Sequence, residues 1–172
     1  RECVQLMAVG ETRRCWLPEA LAYNGQAGRP RGMVVFDIEL IDTRVAPNVA
    51  PPDVAAPPDD AKRTPSGLAY KVLKPGTGAR RPGQFQRVLV HYTGWTTDGK
   101  MFDSSVAKGA PVTLSLDSVI RGWTEGIQLM VEGERTRFWI PQDLAYKGEP
   151  GSPRGMLVFE VDLIKIESRP LR

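Results

Sequence analysis

Two stretches of this chain, 5–41 and 128–164, align without a gap at an offset of 123 residues and are identical at 21 of 37 positions. Gln5-Leu6-Met7 matches Gln128-Leu129-Met130. Trp16-x-Pro18-x-x-Leu21-Ala22-Tyr23 matches Trp139-x-Pro141-x-x-Leu144-Ala145-Tyr146, and Pro30-Arg31-Gly32-Met33 matches Pro153-Arg154-Gly155-Met156. Chance does not produce such a match, so whatever 128–164 folds into, 5–41 folds into as well. The period is too long for a solenoid repeat. It implies two copies of one domain, the first represented only by its second half. The offset puts the counterpart of Trp123 just before Arg1. The favoured reading is an upstream half that was lost or is not shown; completion by another chain, or packing on the complete domain, are the others. Its strands would otherwise expose apolar faces and unpaired edges, so 1–42 is expected to pair with further strands.

Between the copies, 43–66 contains six prolines, many alanines, Asp53, Asp59 and Asp60, and no aromatic residue. Such a composition buries too little apolar surface to offset its ordering entropy, and proline biases it toward extended conformations. The expected organisation is a partial domain at 1–42, a linker at 43–66 and a complete domain at 67–172. Over the whole chain, 41% hydrophobic and 25% charged residues are enough for a real core. Seventeen Gly and fifteen Pro argue against a helical bundle. No apolar run exceeds four residues, which excludes a transmembrane helix or a signal-peptide core in the sequence shown.

The net charge is +3, but the Lys and Arg are scattered. A nucleic-acid surface would show a basic stripe with interleaved aromatics, and none is present. Cys3 and Cys15 are the only cysteines and His91 the only histidine, too few for a structural zinc site. A Cys/His nucleophilic pair is disfavoured because both cysteines lie far from His91, which reads as a structural strand residue. Cys3 and Cys15 correspond to Gly126 and Phe138; unpaired packing is the favoured reading and a short-loop disulfide the alternative. Phosphate-binding Gly-Lys-Ser/Thr loops and Gly-x-Ser-x-Gly elbows are missing.

Periodicity supplies the coarse fold. Arg87 to Thr93 is β-rich, and Asp98-Gly99 signals a hairpin turn. Val112, Leu114 and Leu116 alternate as in a half-buried strand. Trp123, Ile127 and Met130 fall at i, i+4 and i+7, one face of a short helix. Glu134 to Ile140 and Met156 to Ile166 are strand-like, with Leu157, Phe159, Val161 and Leu163 pointing one way and Glu160, Asp162 and Ile164 the other. The predicted class is α+β, an antiparallel sheet packed on one helix.

Several motifs in order then carry a resemblance: Val90-His91-Tyr92-Thr93-Gly94, Asp98-Gly99-Lys100-x-Phe102-Asp103-Ser104-Ser105, and Val119-Ile120-Arg121-Gly122-Trp123-x-Glu125-Gly126. With Leu144-Ala145-Tyr146 and Leu157 to Val161, they resemble the FKBP-type peptidyl-prolyl cis-trans isomerases over roughly 67–167, and over 1–42 as that domain's second half. The resemblance implies a twisted antiparallel sheet wrapped around a short helix. It implies a pocket with Trp123 as floor, walls from Tyr92, Phe102, Val119, Ile120, Tyr146 and Phe159, and Asp103 at the edge. It further implies that the Ile120 N–H and the Tyr146 hydroxyl bond substrate or inhibitor carbonyls, with no cofactor and no metal.

Two departures temper that picture. Val112 stands where the family often has an aromatic wall residue, and the 147–155 loop is short, with no apolar overhang. A shallower pocket with weak macrolide binding is expected. Lys108 sits where a basic residue often pairs with the edge carboxylate. The expected function is isomerisation of Xaa-Pro bonds in proline-containing polypeptides, as a folding helper. The alternatives are a proline-segment binding or chaperone-like module with little turnover, and a homodimer or strand exchange through 1–42. The Ala/Pro-rich linker and tandem copies lean toward a bacterial periplasmic or secreted protein.

Overall fold

The alternation of Leu157, Phe159, Val161 and Leu163 becomes a central strand. The computed structural model describes residues 2–8, 10–40 and 49–167, and the chain divides into two compact units, Arg1–Val45 and Ala46–Arg172. The expected boundary at 42/43 lies outside the described residues. The first unit holds α1 (Glu2–Gln5), β1 (Thr12–Leu17), a 3-10 turn (Glu19–Leu21) and β2 (Val34–Glu39). The second begins with β3 (Lys62–Arg63), β4 (Ala69–Lys74), β5 (Arg87–Thr96), β6 (Met101–Ser104) and β7 (Val112–Ser115). It continues with α2 (Arg121–Ile127), β8 (Arg135–Ile140), a 3-10 turn (Gln142–Leu144) and β9 (Leu157–Ile166).

The seven strands of the second unit form one sheet, β3-β4-β8-β9-β5-β6, with β7 also paired to β5 and every pairing antiparallel. Helix α2 packs on one face. Trp123, Ile127 and, just beyond the helix, Met130 are buried against Val90, Phe138, Ile140 and the four alternating β9 residues. Each such side chain gains about 1.5–3 kcal/mol from leaving water. The helix-on-sheet class expected from periodicity is the one observed.

The opposite face of the sheet is not simply polar. Val158 lies there, fully buried with Trp139 and Ala69, and Val54, Ala61 and Met156 pack on them. The cover comes from the stretch read as a free linker, whose described residues 49–66 belong to the second unit. Residues 49–61 form a strap with turns closed by Val54 N–H to Pro51 O at 3.1 Å and Ala61 N–H to Pro58 O at 3.0 Å. The Trp139 indole N–H donates to the Asp53 carbonyl at 2.9 Å. Arg137 bonds both the Asp53 and Glu160 carboxylates, and Lys71 pairs with Asp60 at 2.7 Å. Composition alone overstates the cost of ordering this segment. Its prolines restrict the unfolded chain, while the sheet supplies an aromatic ring, a buried donor and a cation.

In the first unit, β1 and β2 pair in the register Cys15↔Phe36 and Trp16↔Val35, repeating Phe138↔Phe159 and Trp139↔Val158. The expected pairing of 1–42 with further strands is not found among the described residues; this two-stranded sheet stands by itself. The strands that would receive it, β4 and β5, already flank β8 and β9. The favoured reading of the cysteines is also corrected: Cys3 and Cys15 form a disulfide across a Cα–Cα distance of 6.5 Å, within bridging range. Their counterparts already touch in the second unit, where a Cβ on Gly126 would lie 2.7 Å from the Phe138 ring. One helix–strand contact is thus packed in one unit and covalent in the other.

Candidate active site

A defect in the β5–β6 pairing shapes the site. Gly99, at φ +84, closes the hairpin turn, and its N–H donates to Thr96 O at 2.9 Å. The register then runs Gly94↔Asp103 but Trp95↔Met101, which leaves Phe102 as a bulge. Bulges re-aim side chains beside functional sites, and here Phe102 lines a cavity. Opposite it, a Cβ on Gly94 would lie 2.6 Å from the Phe159 ring and 2.8 Å from the Phe102 ring. Only glycine lets both rings approach.

Four rings interlock around the cavity. Trp123 meets Tyr92 at 5.1 Å and Phe159 at 5.3 Å between centroids, and Phe102 meets Phe159 at 5.4 Å, all nearly perpendicular. Edge-to-face pairs of this kind add about 0.5–1.5 kcal/mol each beyond their buried area, so the walls are stiff. The cavity measures about 430 Å³, within the usual range for a ligand site. Tyr92, Phe102, Asp103, Val119, Ile120, Trp123, Tyr146 and Phe159 all line it.

Two expected residues do not line it. Val112 faces Val90 in the β5–β7 register and falls short of the cavity, while Leu114, the next residue on that face, reaches it. Lys108 stays outside the lining but donates to Asp103 Oδ1 at 2.6 Å. Ser118, Ala145 and Glu149 also contribute. Glu149 stands in the short loop where an apolar overhang was missing. Alternation with Val112 pointed to Leu114; an aperiodic loop gave no signal for Glu149. His91 places Nδ1 3.0 Å from Ser105 Oγ, in the strand role expected of it.

Asp103 is held from both sides, since Tyr92 also donates its hydroxyl to Oδ2 at 2.5 Å. Burial pushes this carboxyl up, but the hydrogen bonds from Lys108 and Tyr92 outweigh it and hold it below the usual carboxylate range. Burial, then the adjoining carboxylate, pushes the Tyr92 phenol above the ordinary tyrosine range. Tyr146 is raised for the same two reasons. Both phenols therefore remain donors at neutral pH. Two donors at the cavity have no acceptor among the described residues: the Tyr146 hydroxyl and the N–H of Ile120, the residue that caps α2 and whose carbonyl accepts from Trp123 and Thr124 N–H. No cluster of His, Cys, Asp and Glu among the described residues could hold a metal ion. The chemistry available is apolar enclosure, two free donors and one fixed carboxylate.

Residues 78–164 match a family model described as FKBP-type peptidyl-prolyl cis-trans isomerase. The isomerase FkpA of Aeromonas hydrophila is 50% identical over 113 residues, 63% of this chain and 41% of that protein. The macrophage infectivity potentiator of Trypanosoma cruzi is 46% identical over 117 residues, 66% of this chain and 59% of that protein. The crystal structure of FkpA from Escherichia coli superposes with a TM-score of 0.61 at 39% identity, covering 66% of this chain and 54% of that one. The chain thus spans between 41% and 59% of the length of these relatives.

Proposed function

Because the chain belongs to the FKBP-type peptidyl-prolyl cis-trans isomerases, we propose that its second unit catalyses rotation about Xaa-Pro bonds in polypeptide segments, as a folding helper. The observation that carries this reading is the box of perpendicular rings with two unpaired donors. Rotation breaks amide conjugation at a barrier of about 18–20 kcal/mol, so the uncatalysed step takes roughly tens to hundreds of seconds. The twisted transition state has lost resonance, and its carbonyl is less polar than in the planar amide. Aromatic walls disfavour the planar form more than the twisted one, which is differential binding of the transition state. The Ile120 N–H and the Tyr146 hydroxyl hold carbonyls in the rotated arrangement. Asp103 fixes the Tyr92 ring, and Lys108 fixes Asp103. No nucleophile enters the reaction, so no covalent intermediate forms.

Magnetisation exchange on an Xaa-Pro peptide tests this. The full chain is expected to accelerate exchange and Phe102→Ala to abolish the effect; no acceleration by the wild-type chain overturns it. Retained peptide binding without acceleration would instead favour the binding module, which the shortfall of Val112 supports. The same shortfall, and the lack of an apolar overhang in 147–155, support weak macrolide binding.

The first unit reads as the second half of another copy. The 21 identities, the matched register and the repeated strand, 3-10 turn and strand support this. It carries Tyr23 and Phe36, the counterparts of Tyr146 and Phe159. Its open strand edges support dimerisation or strand exchange; sedimentation of 1–172 against 49–172 tests that, with a dimer expected only for the longer form. The Cys3–Cys15 link supports an oxidising compartment.

A further inference from the structure

The strap fills only one of two matching faces. On the second unit, Trp139, Val158 and Met156 form an apolar patch beside Arg137, and the strap covers it with Val54, Ala61 and Asp53. On the first unit, the same register places Trp16 opposite Val35 and Arg14 opposite Asp37, with Met33 leading into β2. Trp16, Val35, Met33 and Arg14 are identical to their four counterparts. Here the patch is open: Trp16 is 61% exposed, Met33 65% and Val35 50%, against 0% for Trp139 and Val158.

The arginine fork repeats as well. Arg137 bonds Glu160 through Nε and Nη2 and Asp53 through Nη1. Arg14 bonds Asp37 through Nε at 2.6 Å and Nη2 at 2.8 Å, which leaves Nη1 without a partner among the described residues. That is the nitrogen that takes the strap's aspartate in the other copy. A tryptophan with an indole donor, two apolar neighbours and a half-used guanidinium form a site whose occupant can be read from its duplicate.

We infer that the face around Arg14, Trp16, Met33 and Val35 is a docking site for an extended, proline-flanked segment carrying an aspartate followed by a small apolar residue, the chemistry of Pro52-Asp53-Val54. The aspartate pairs with Arg14 Nη1, its carbonyl accepts from the Trp16 indole N–H, and the next side chain covers Val35. Charge-assisted pairing selects an acidic segment over a neutral one, and the proline-restricted chain loses less entropy on docking.

The test uses a fluorescein-labelled peptide with the sequence of 49–61, titrated with the full chain and read by anisotropy. Saturable binding is expected, weakened about tenfold or more by Trp16→Ala, the loss typical of an aromatic anchor, and also weakened when, of the peptide's three aspartates, the one at position 53 is changed to asparagine. The peptide's prolines also suit the aromatic cavity, so the titration is repeated with Phe102→Ala, in which the component of binding that depends on Trp16 should persist. Circular dichroism and an intact Cys3–Cys15 disulfide in Trp16→Ala show that the first unit of the variant is folded. Absence of saturable binding overturns the proposal, as does loss in Phe102→Ala but not in Trp16→Ala. Self-association of the chain through Trp16 that the peptide cannot displace would assign the face to a second copy, and also overturns it.

Discussion

The hairpins β1–β2 and β8–β9 place nearly one sequence in two environments. Their backbones agree in detail: Pro18 and Pro141 share φ near −55° and ψ of 151°, and Asn24 and Lys147 both have positive φ. The hydrogen bonds Gly10 N–H to Leu40 O and Gly133 N–H to Leu163 O are both 2.7 Å. Their surroundings do not agree. Leu144 is 5% exposed and Leu21 is 68% exposed. Strand, turn and register are therefore set locally, by proline and glycine positions and by cross-strand pairs. Burial, which supplies most stability, is set by neighbours. A two-stranded hairpin alone is marginal in water, and the Cys3–Cys15 link stands where the second unit relies on packing.

The sharpest way to break this contrast is to delete the same ring twice. Trp139→Ala should cost about 3–5 kcal/mol, as buried aromatic truncations do, whereas Trp16→Ala should fall within about 0.5 kcal/mol, as at exposed sites. Urea unfolding of both variants decides; equal losses would mean that the first hairpin is buried in solution. Next in size is reduction of Cys3–Cys15. Closing a loop of this length is worth about 3 kcal/mol in the chain-entropy model. Reductant should therefore strip hydrogen-exchange protection from Arg13 and Cys15, whose amides face β2 in the ladder, while leaving β8 and β9 unchanged. Loss of protection in both hairpins would show that their stabilities are coupled.

A smaller effect separates the two arginine forks. Asp53→Ala leaves the largely buried Arg137 with one partner fewer and should cost about 1.5–3 kcal/mol, the worth of a charge-assisted bond. Asp37→Ala, in an exposed pair, should leave the unfolding midpoint unchanged. The smallest effect is spectroscopic. Tyr92 and Tyr146 are raised, so the stability that depends on their neutral phenols is fully present below the ordinary tyrosine pKa of about 10 and is lost only as pH rises beyond it. Asp103 is depressed, and its contribution is lost only as pH falls below the ordinary carboxylate value of about 3.9. Absorbance titration at alkaline pH should show two fewer tyrosines ionising near the ordinary value. A Tyr92→Phe curve that matches the wild type above that range would contradict the shift.

Much of this was legible in the sequence. The ring set, the edge carboxylate and the helix face followed from ordered motifs and period, and the structure gathers those residues around one cavity. Val112 stands out as a departure from the family pattern that thins one wall, and Leu114, the next residue on its face, is the one that lines the cavity. The strap was missed because composition weighs the entropy of a segment and not the surface waiting for it. Val158 and Met156, apolar residues on the supposed solvent side of β9, and Trp139 beside them were the available sign. The disulfide was visible only once Cys3 and Cys15 were set against residues that touch, Gly126 and Phe138.

Strand β9 makes the sheet a partition between two kinds of peptide contact. Phe159 looks into the ring box while its neighbours Val158 and Glu160 hold the strap on the reverse side. The strap therefore leaves the catalytic mouth unobstructed. Substitutions at Phe159 act on the ring box and those at Val158 or Glu160 act on the tether, so neighbouring positions of one strand can diverge independently.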